Sequence, residues 1–122
     1  MHTIGHIHHG PAWKTGVPVT AQGLPMEKHL KYMKELFDRE ALILGGPYDA
    51  GHGGVAVFVT ETLAEAQRLA DEDPAHQAGV IGYRLEVLRP VFDAAADLDS
   101  SERLAGVMAS SVQPVATEGS RG

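Results

Sequence analysis

The sequence contains no cysteine, which excludes disulfide bonds, thiolate metal ligands and a cysteine nucleophile. No apolar run approaches the ~20 residues that a membrane-spanning helix requires, so no membrane association is expected. The first ten residues carry neither the basic segment nor the apolar segment of a secretory signal. Together these absences predict a cytoplasmic protein.

Positive charge is also scarce. The 122 residues include 10 Lys and Arg against 16 Asp and Glu, giving a net charge of -6. The basic residues are scattered, whereas a nucleic-acid-binding surface needs them clustered, so no nucleic-acid partner is expected. The sequence has no GxSxG motif, the turn that carries a serine nucleophile. It also has no GxGxxG motif after a strand, the pattern that binds nucleotide and flavin cofactors. We therefore expect no cofactor.

Residues 24–47 combine an amphipathic helix with a short buried strand. Four apolar residues recur at the spacing that places side chains on one face of an α-helix: Met26, Leu30, Met33 and Phe37. At about 100° per residue, His29 lies roughly 60° from the centre of this stripe. We therefore expect His29 at the border between core and solvent, where a titratable side chain can reach a pocket.

The predicted elements follow the order β-α-β-β-α-β. Strands are expected over residues 2–9, 41–44, 55–60 and 81–91, and helices over the segments that begin at residues 24 and 62. Thr62 and Glu65 match a capping box, and Pro74 ends the second helix by Asp73. This order predicts an α+β, ferredoxin-like domain in which two helices cover one face of a four-stranded antiparallel sheet.

The second face of that sheet needs a cover too, because it carries some of a set of apolar residues: Val55, Val57, Val59, Leu85 and Val87. A second copy of the same sheet would supply the cover. The sequence therefore predicts a homodimer with its sheets face to face, a dimeric α+β barrel. In the alternative, the loop of residues 10–24 and the C-terminal segment cover this face within one chain.

The composition changes after Phe92 to Ala, Ser, Asp and Gly. We therefore predict an α+β domain over residues 1–92 and a C-terminal extension over residues 93–122. The extension is expected to contain a short helix at residues 100–108 and a disordered tail.

Histidines crowd the first strand, at His2, His6, His8 and His9. Imidazoles that alternate on a strand can bind a metal, but no HExxH motif accompanies them. Further ligands would have to come from elsewhere in the chain. Polar side chains that line a cavity or an exposed strand explain the same pattern, so no metal site is predicted.

Asp73 ends a run of three acids at the predicted end of the second helix, where the helix dipole favours cations. Such a local conflict often marks function, although Asp before Pro is also common in turns. Because the two helices lie side by side, the Asp73 carboxylate could accept from one nitrogen of His29 and leave the other for proton transfer. His29 and Asp73 are the candidate catalytic pair, although His29 taken alone also fits a histidine at the edge of the core.

Four segments in this order resemble the YCII-related family: the helix that carries His29, residues 44–47, residues 61–74 and residues 78–91. The resemblance runs from about residue 4 to residue 92, and GPAW at residues 10–13 resembles a subgroup of the family. It implies a dimeric α+β barrel with a His–Asp pair in a cleft beside the sheet, which falls by position on His29 and Asp73. One branch of the family contains a dehydrochlorinase that acts on a chlorinated hydroxyquinol, and many members have no known reaction.

The residues and the resemblance together predict a cofactor-independent lyase or isomerase, dehalogenase-like or dehydratase-like, acting on a small cyclic or phenolic molecule in secondary metabolism or catabolism. His29 would transfer the proton, and Asp73 would orient the His29 ring. Four residues are predicted to bind the substrate: Trp13 and Pro47 as apolar walls, and His6 or His8 as hydrogen-bonding groups. The alternatives are a non-catalytic dimeric ligand binder or accessory subunit of a biosynthetic complex, and a His-rich metal-dependent enzyme.

Overall fold

A computed structural model describes residues 1–94 and 105–109. The chain divides into two units, Met1–Leu88 and Arg89–Gly122. The first unit contains, in order, β1 (His2–His9), α1 (Leu24–Asp38), β2 (Leu42–Pro47), β3 (Gly54–Val59), α2 (Leu63–Asp71), α3 (Pro74–Gln77) and β4 (Ile81–Leu88), with a 3-10 turn at Val19–Ala21. In the second unit, residues 105–109 are helical; the tail predicted to be disordered lies outside the described residues.

The four strands form one antiparallel sheet in the order β2-β3-β1-β4. Both long helices lie on the same face of it. One buried cluster joins Leu36 of α1, Ala66 and Leu69 of α2, and the sheet residues Leu42, Ala56 and Phe58. This arrangement confirms the predicted α+β, ferredoxin-like fold. In the described part of the chain, no helix combines the length and the hydropathy needed to cross a membrane.

Strand β2 is longer than the sequence predicted. Gly45, Gly46 and Pro47 continue the pairing with β3 after an irregularity between Leu42 and Leu44. The predicted end of this strand at Leu44 was wrong because β2 is an edge strand. An edge strand tolerates the missing N–H of a proline when that side of the strand needs no partner.

Helix α1 is rotated relative to the predicted apolar stripe. Its buried side chains are Met26, His29 and Leu36, whereas Leu30 is 60% and Phe37 is 55% exposed. At about 100° per residue, the buried positions centre near His29. His29 is therefore in the middle of the buried face, only 8% exposed, and not on its border.

The sheet face away from the helices mixes apolar and charged residues. Val55, Val57 and Val59 alternate with buried residues of β3 and are half-buried. Leu85 instead packs against the helix-side core, so Arg84 and Glu86 take the open-face positions on β4. Because side chains alternate along a strand, Leu85 and Val87 are not part of the apolar surface that the sequence assigned to the open face.

Candidate active site

Asp73 lies at the start of α3 and not in the last turn of α2, which ends at Asp71. Its Oδ1 accepts a hydrogen bond from the Ala75 N–H at 2.9 Å. Asp73 is therefore the N-cap of α3, with Pro74 in the first helical position. The sequence placed Asp73 at a helix C-terminus because the four residues of α3 are too few to give a periodic pattern.

The other carboxylate oxygen of Asp73 joins two further side chains. His29 Nδ1 lies 2.7 Å from Asp73 Oδ2, and the Tyr83 hydroxyl donates to the same oxygen at 2.5 Å. Asp73 is completely buried. Residues from α1, the α2–α3 junction and β4 thus converge on one carboxylate.

The Asp73 carboxylate is ionised, and this determines the tautomer of His29. Burial alone would raise the pKa of Asp73, but the hydrogen bond and charge of His29, together with hydrogen bonds from Tyr83 and the Ala75 N–H, hold it below its ordinary value. An ionised carboxylate can only accept hydrogen bonds, so the proton between the two residues is on His29 Nδ1. In the neutral imidazole, the lone pair is therefore on Nε2, the nitrogen that a general base needs.

Tyr83 remains a hydrogen-bond donor in this site. Burial and the neighbouring Asp73 charge raise the pKa of its hydroxyl. Its ring is tilted against Phe58 and meets His76 edge-on. The Tyr83 hydroxyl therefore fixes the position of the Asp73 carboxylate, and this carboxylate in turn orients the His29 ring.

His29 lines a cavity of about 450 Å³ between α1, the first loop and the end of β2. Most of its other walls are apolar, among them Trp13, Met26, Met33, Pro47 and Ile81. No described residue hydrogen-bonds to His29 Nε2. A small cyclic molecule in this cavity would meet an imidazole whose orientation is already determined.

The family assignment follows from a match over most of this domain. A model of the YCII-related domain matches residues 12–89, well over half of the chain. The chain belongs to the YCII-related family. The predicted resemblance is thereby confirmed.

A solved structure adds independent support for the fold of this YCII-related protein. It is the 5-chloro-2-hydroxyhydroquinone dehydrochlorinase from Burkholderia phenoliruptrix, in complex with 2,5-dihydroxybenzoquinone. The match has a TM-score of 0.53 and 19% sequence identity, and covers 72% of this chain and 93% of that chain. A search of the curated proteins found no match.

Two of the predicted substrate-binding residues line the cavity of the YCII-related protein, and two do not. Trp13 and Pro47 line it together with His29. His6 and His8 are on the open face of the sheet: His6 Nε2 lies 3.0 Å from Glu86 Oε1, and the His8 ring lies against Gly82. The alternation along β1 separates them from the cavity.

The same alternation brings His9, which the sequence analysis did not select, to the cavity wall. Thr3 and Gly5 point to the same face of the sheet as His9, because side chains alternate along a strand. Both are buried on the helix side. The alternation is visible in the sequence, but nothing local tells which face of the strand the helices cover. In the described part of the chain, no group of three or more His, Asp or Glu side chains could hold a metal ion.

The loop that carries Trp13 is held by the buried side chain of Gln22. Gln22 Oε1 accepts from the Lys14 N–H at 2.8 Å, while Nε2 donates to the carbonyls of Lys14 at 2.9 Å and Val17 at 2.8 Å. Ala12 N–H donates to the Gly79 carbonyl at 2.9 Å. These four bonds determine where the tryptophan wall of the cavity lies.

Gln22→Met is expected to destabilise the protein by about 2–3 kcal/mol, because it removes three hydrogen bonds while keeping the length of the side chain. The emission of Trp13, the only tryptophan, should shift to longer wavelength as its loop loosens. Urea titration and fluorescence spectra measure both effects. Gln67→Met on the exposed side of α2 is the matched control and should change stability by less than about 0.5 kcal/mol; equal effects of the two substitutions would contradict this role of Gln22.

Proposed function

We propose that this YCII-related protein is a cofactor-independent lyase or isomerase acting on a small cyclic or phenolic molecule, with His29 and Asp73 as its acid–base pair. The observation that carries the proposal is the 2.7 Å contact between His29 Nδ1 and Asp73 Oδ2 at the wall of an apolar cavity. The dehydrochlorinase of similar fold supports the reaction class.

In the proposed reaction, His29 Nε2 takes a proton from a substrate C–H or O–H group. The released electron pair forms a new π bond in or beside the ring. In an elimination, the leaving group departs with its own bonding pair, either as chloride or as water once the imidazolium has given the proton to the leaving hydroxyl. In an isomerisation, the imidazolium returns the proton to another carbon. Asp73 stabilises the imidazolium in both cases.

Trp13 and Pro47 would shape the walls that hold the ring against His29. Apolar walls exclude water from the reacting atoms, which strengthens the electrostatic interaction within the His–Asp pair. His6 and His8 have no part in this proposal because their side chains are on the other face of the sheet.

The test is an assay of purified protein with hydroxylated benzenes, including 5-chloro-2-hydroxyhydroquinone and its chlorine-free analogue. Released chloride and the ultraviolet spectrum report elimination, and incorporation of solvent deuterium reports isomerisation. We expect turnover that depends on His29. If a ligand binds in the cavity and is recovered unchanged, without deuterium, the protein is a non-catalytic binder and the enzymatic proposal is wrong.

We also propose that the protein is a homodimer whose open sheet faces pack together. Val55, Val57 and Val59 are half-buried there, and Leu44 at the sheet edge is 62% exposed. Analytical ultracentrifugation should find a dimer at micromolar concentration that Val57→Lys converts to a monomer. Leu63→Lys, on the helix side, should leave the dimer intact; a wild-type monomer would contradict the proposal.

A further inference from the structure

We infer that His9 is a second ligand-binding residue of the cavity, and that the ligand is a planar ring with at least two oxygen substituents. One oxygen would be bound by His9, while the reacting end of the ring lies at His29. The inference rests on the proposed function, because it places the ligand in the cavity that His29 lines.

Stacking on the Trp13 side chain holds the His9 ring in place. Its centroid lies 3.7 Å from that of Trp13, with an angle of 8° between the two planes. No described residue hydrogen-bonds to either of its ring nitrogens. Because both nitrogens have the capacity to bond, a ligand in the cavity can engage one of them without breaking a bond inside the protein.

The backbone around this stacked pair is anchored on both sides. His9 pairs with Ile81 at the end of β1, and the following residue, Gly10, donates its N–H to the Val80 carbonyl at 2.8 Å. Trp13 is anchored through its loop by Gln22. The pair is therefore in place before a ligand binds, which lowers the entropic cost of binding.

The cavity itself indicates the ligand class. A cavity of 150 Å³ can take up benzene, so about 450 Å³ accommodates one substituted six-membered ring. The stacked His9 and Trp13 rings are rigid and flat, which suits a planar ligand better than a puckered one. Two imidazoles in a largely apolar cavity can each bond one oxygen, so a ring with a single oxygen would leave one imidazole desolvated and unpaired.

The test is calorimetric titration with 2,5-dihydroxybenzoquinone as the probe. His9→Phe keeps a flat ring next to Trp13 but removes both nitrogens, and we expect it to raise the Kd about tenfold, the effect of one hydrogen bond. His9→Gln keeps a donor and should lose less affinity. His8→Phe, on the open face, is the control and should bind like the wild type; melting temperatures verify that all three variants fold.

The outcomes separate this inference from the proposed function. An unchanged Kd in His9→Phe overturns the role of His9 and leaves the His29–Asp73 proposal standing. Weaker binding in His9→Phe together with full turnover in a His29 variant supports the His9 site and overturns the proposed catalysis. Absence of any binding to the wild type at millimolar quinone overturns the inferred ligand class, a planar ring with two oxygen substituents.

Discussion

Asp73→Asn is expected to destabilise the protein by about 2–4 kcal/mol, because it leaves buried hydrogen-bond donors without an acceptor. In the native site, Oδ1 accepts from the Ala75 N–H while Oδ2 accepts from His29 and Tyr83. An amide has one acceptor oxygen only. Whichever way Asn is turned, its NH₂ group faces a donor, either the Ala75 N–H or the pair formed by His29 and Tyr83.

Urea unfolding at neutral pH measures this loss. The control is Asp71→Asn, the same substitution two residues earlier, where the side chain is exposed and accepts a hydrogen bond from Gln67. Surface changes of this kind usually alter stability by less than about 0.5 kcal/mol. A similarly small effect of Asp73→Asn would mean that the Asp73 carboxylate does not accept these three hydrogen bonds.

The same substitution should also change the acid dependence of stability. Because the pKa of Asp73 is lower in the folded protein, its contribution is present above its unfolded pKa of about 3.9 and is lost as the pH falls through the folded value. Wild-type stability should therefore decline below about pH 4 more steeply than that of Asp73→Asn. Parallel curves for the two proteins would contradict the lowered pKa.

His29→Gln is expected to lower turnover by about 10²–10⁴-fold, the usual contribution of general acid–base catalysis. Glutamine can still donate to Asp73, so the fold should survive while the base is lost. The measurement is kcat with whichever of the hydroxylated benzenes the wild-type protein converts. His52→Gln, on the exposed turn between β2 and β3, is the control and should have the wild-type kcat; a His29→Gln rate within threefold of the wild type would exclude His29 as the base.

The order of the elements could be predicted from sequence because each boundary has a local cause. Thr62 accepts from the Glu65 N–H at 3.2 Å, and Glu65 Oε1 accepts from the Glu61 N–H at 2.8 Å, so the capping motif marks the start of α2. Pro74 marks the break that follows it. These are interactions between residues close in the chain, and a pattern in the sequence reports them directly.

The orientation of those elements could not be predicted in the same way. Leu30 and Phe37 fit an apolar stripe as well as Leu36 does, yet packing on the sheet buries Leu36 and leaves the other two exposed. Likewise, the pattern of β1 separates His8 from His9 without telling which one faces the helices. Such choices depend on contacts between residues far apart in the chain.

The candidate site lies between these two cases. The sequence singled out His29 and Asp73, but it assigned Asp73 to the wrong helix end. It also missed Tyr83, because an aromatic residue in a strand normally indicates core packing. Only the tertiary structure places this hydroxyl next to the Asp73 carboxylate.

The most direct test of the central claim is the protonation state of each His29 ring nitrogen, read from ¹⁵N chemical shifts of the neutral imidazole. We expect a proton on Nδ1 and a lone pair on Nε2, and the Nε2 shift should respond when a ring ligand binds. A neutral His29 with its proton on Nε2 would exclude His29 as the general base, since that nitrogen could not then accept a proton from a substrate.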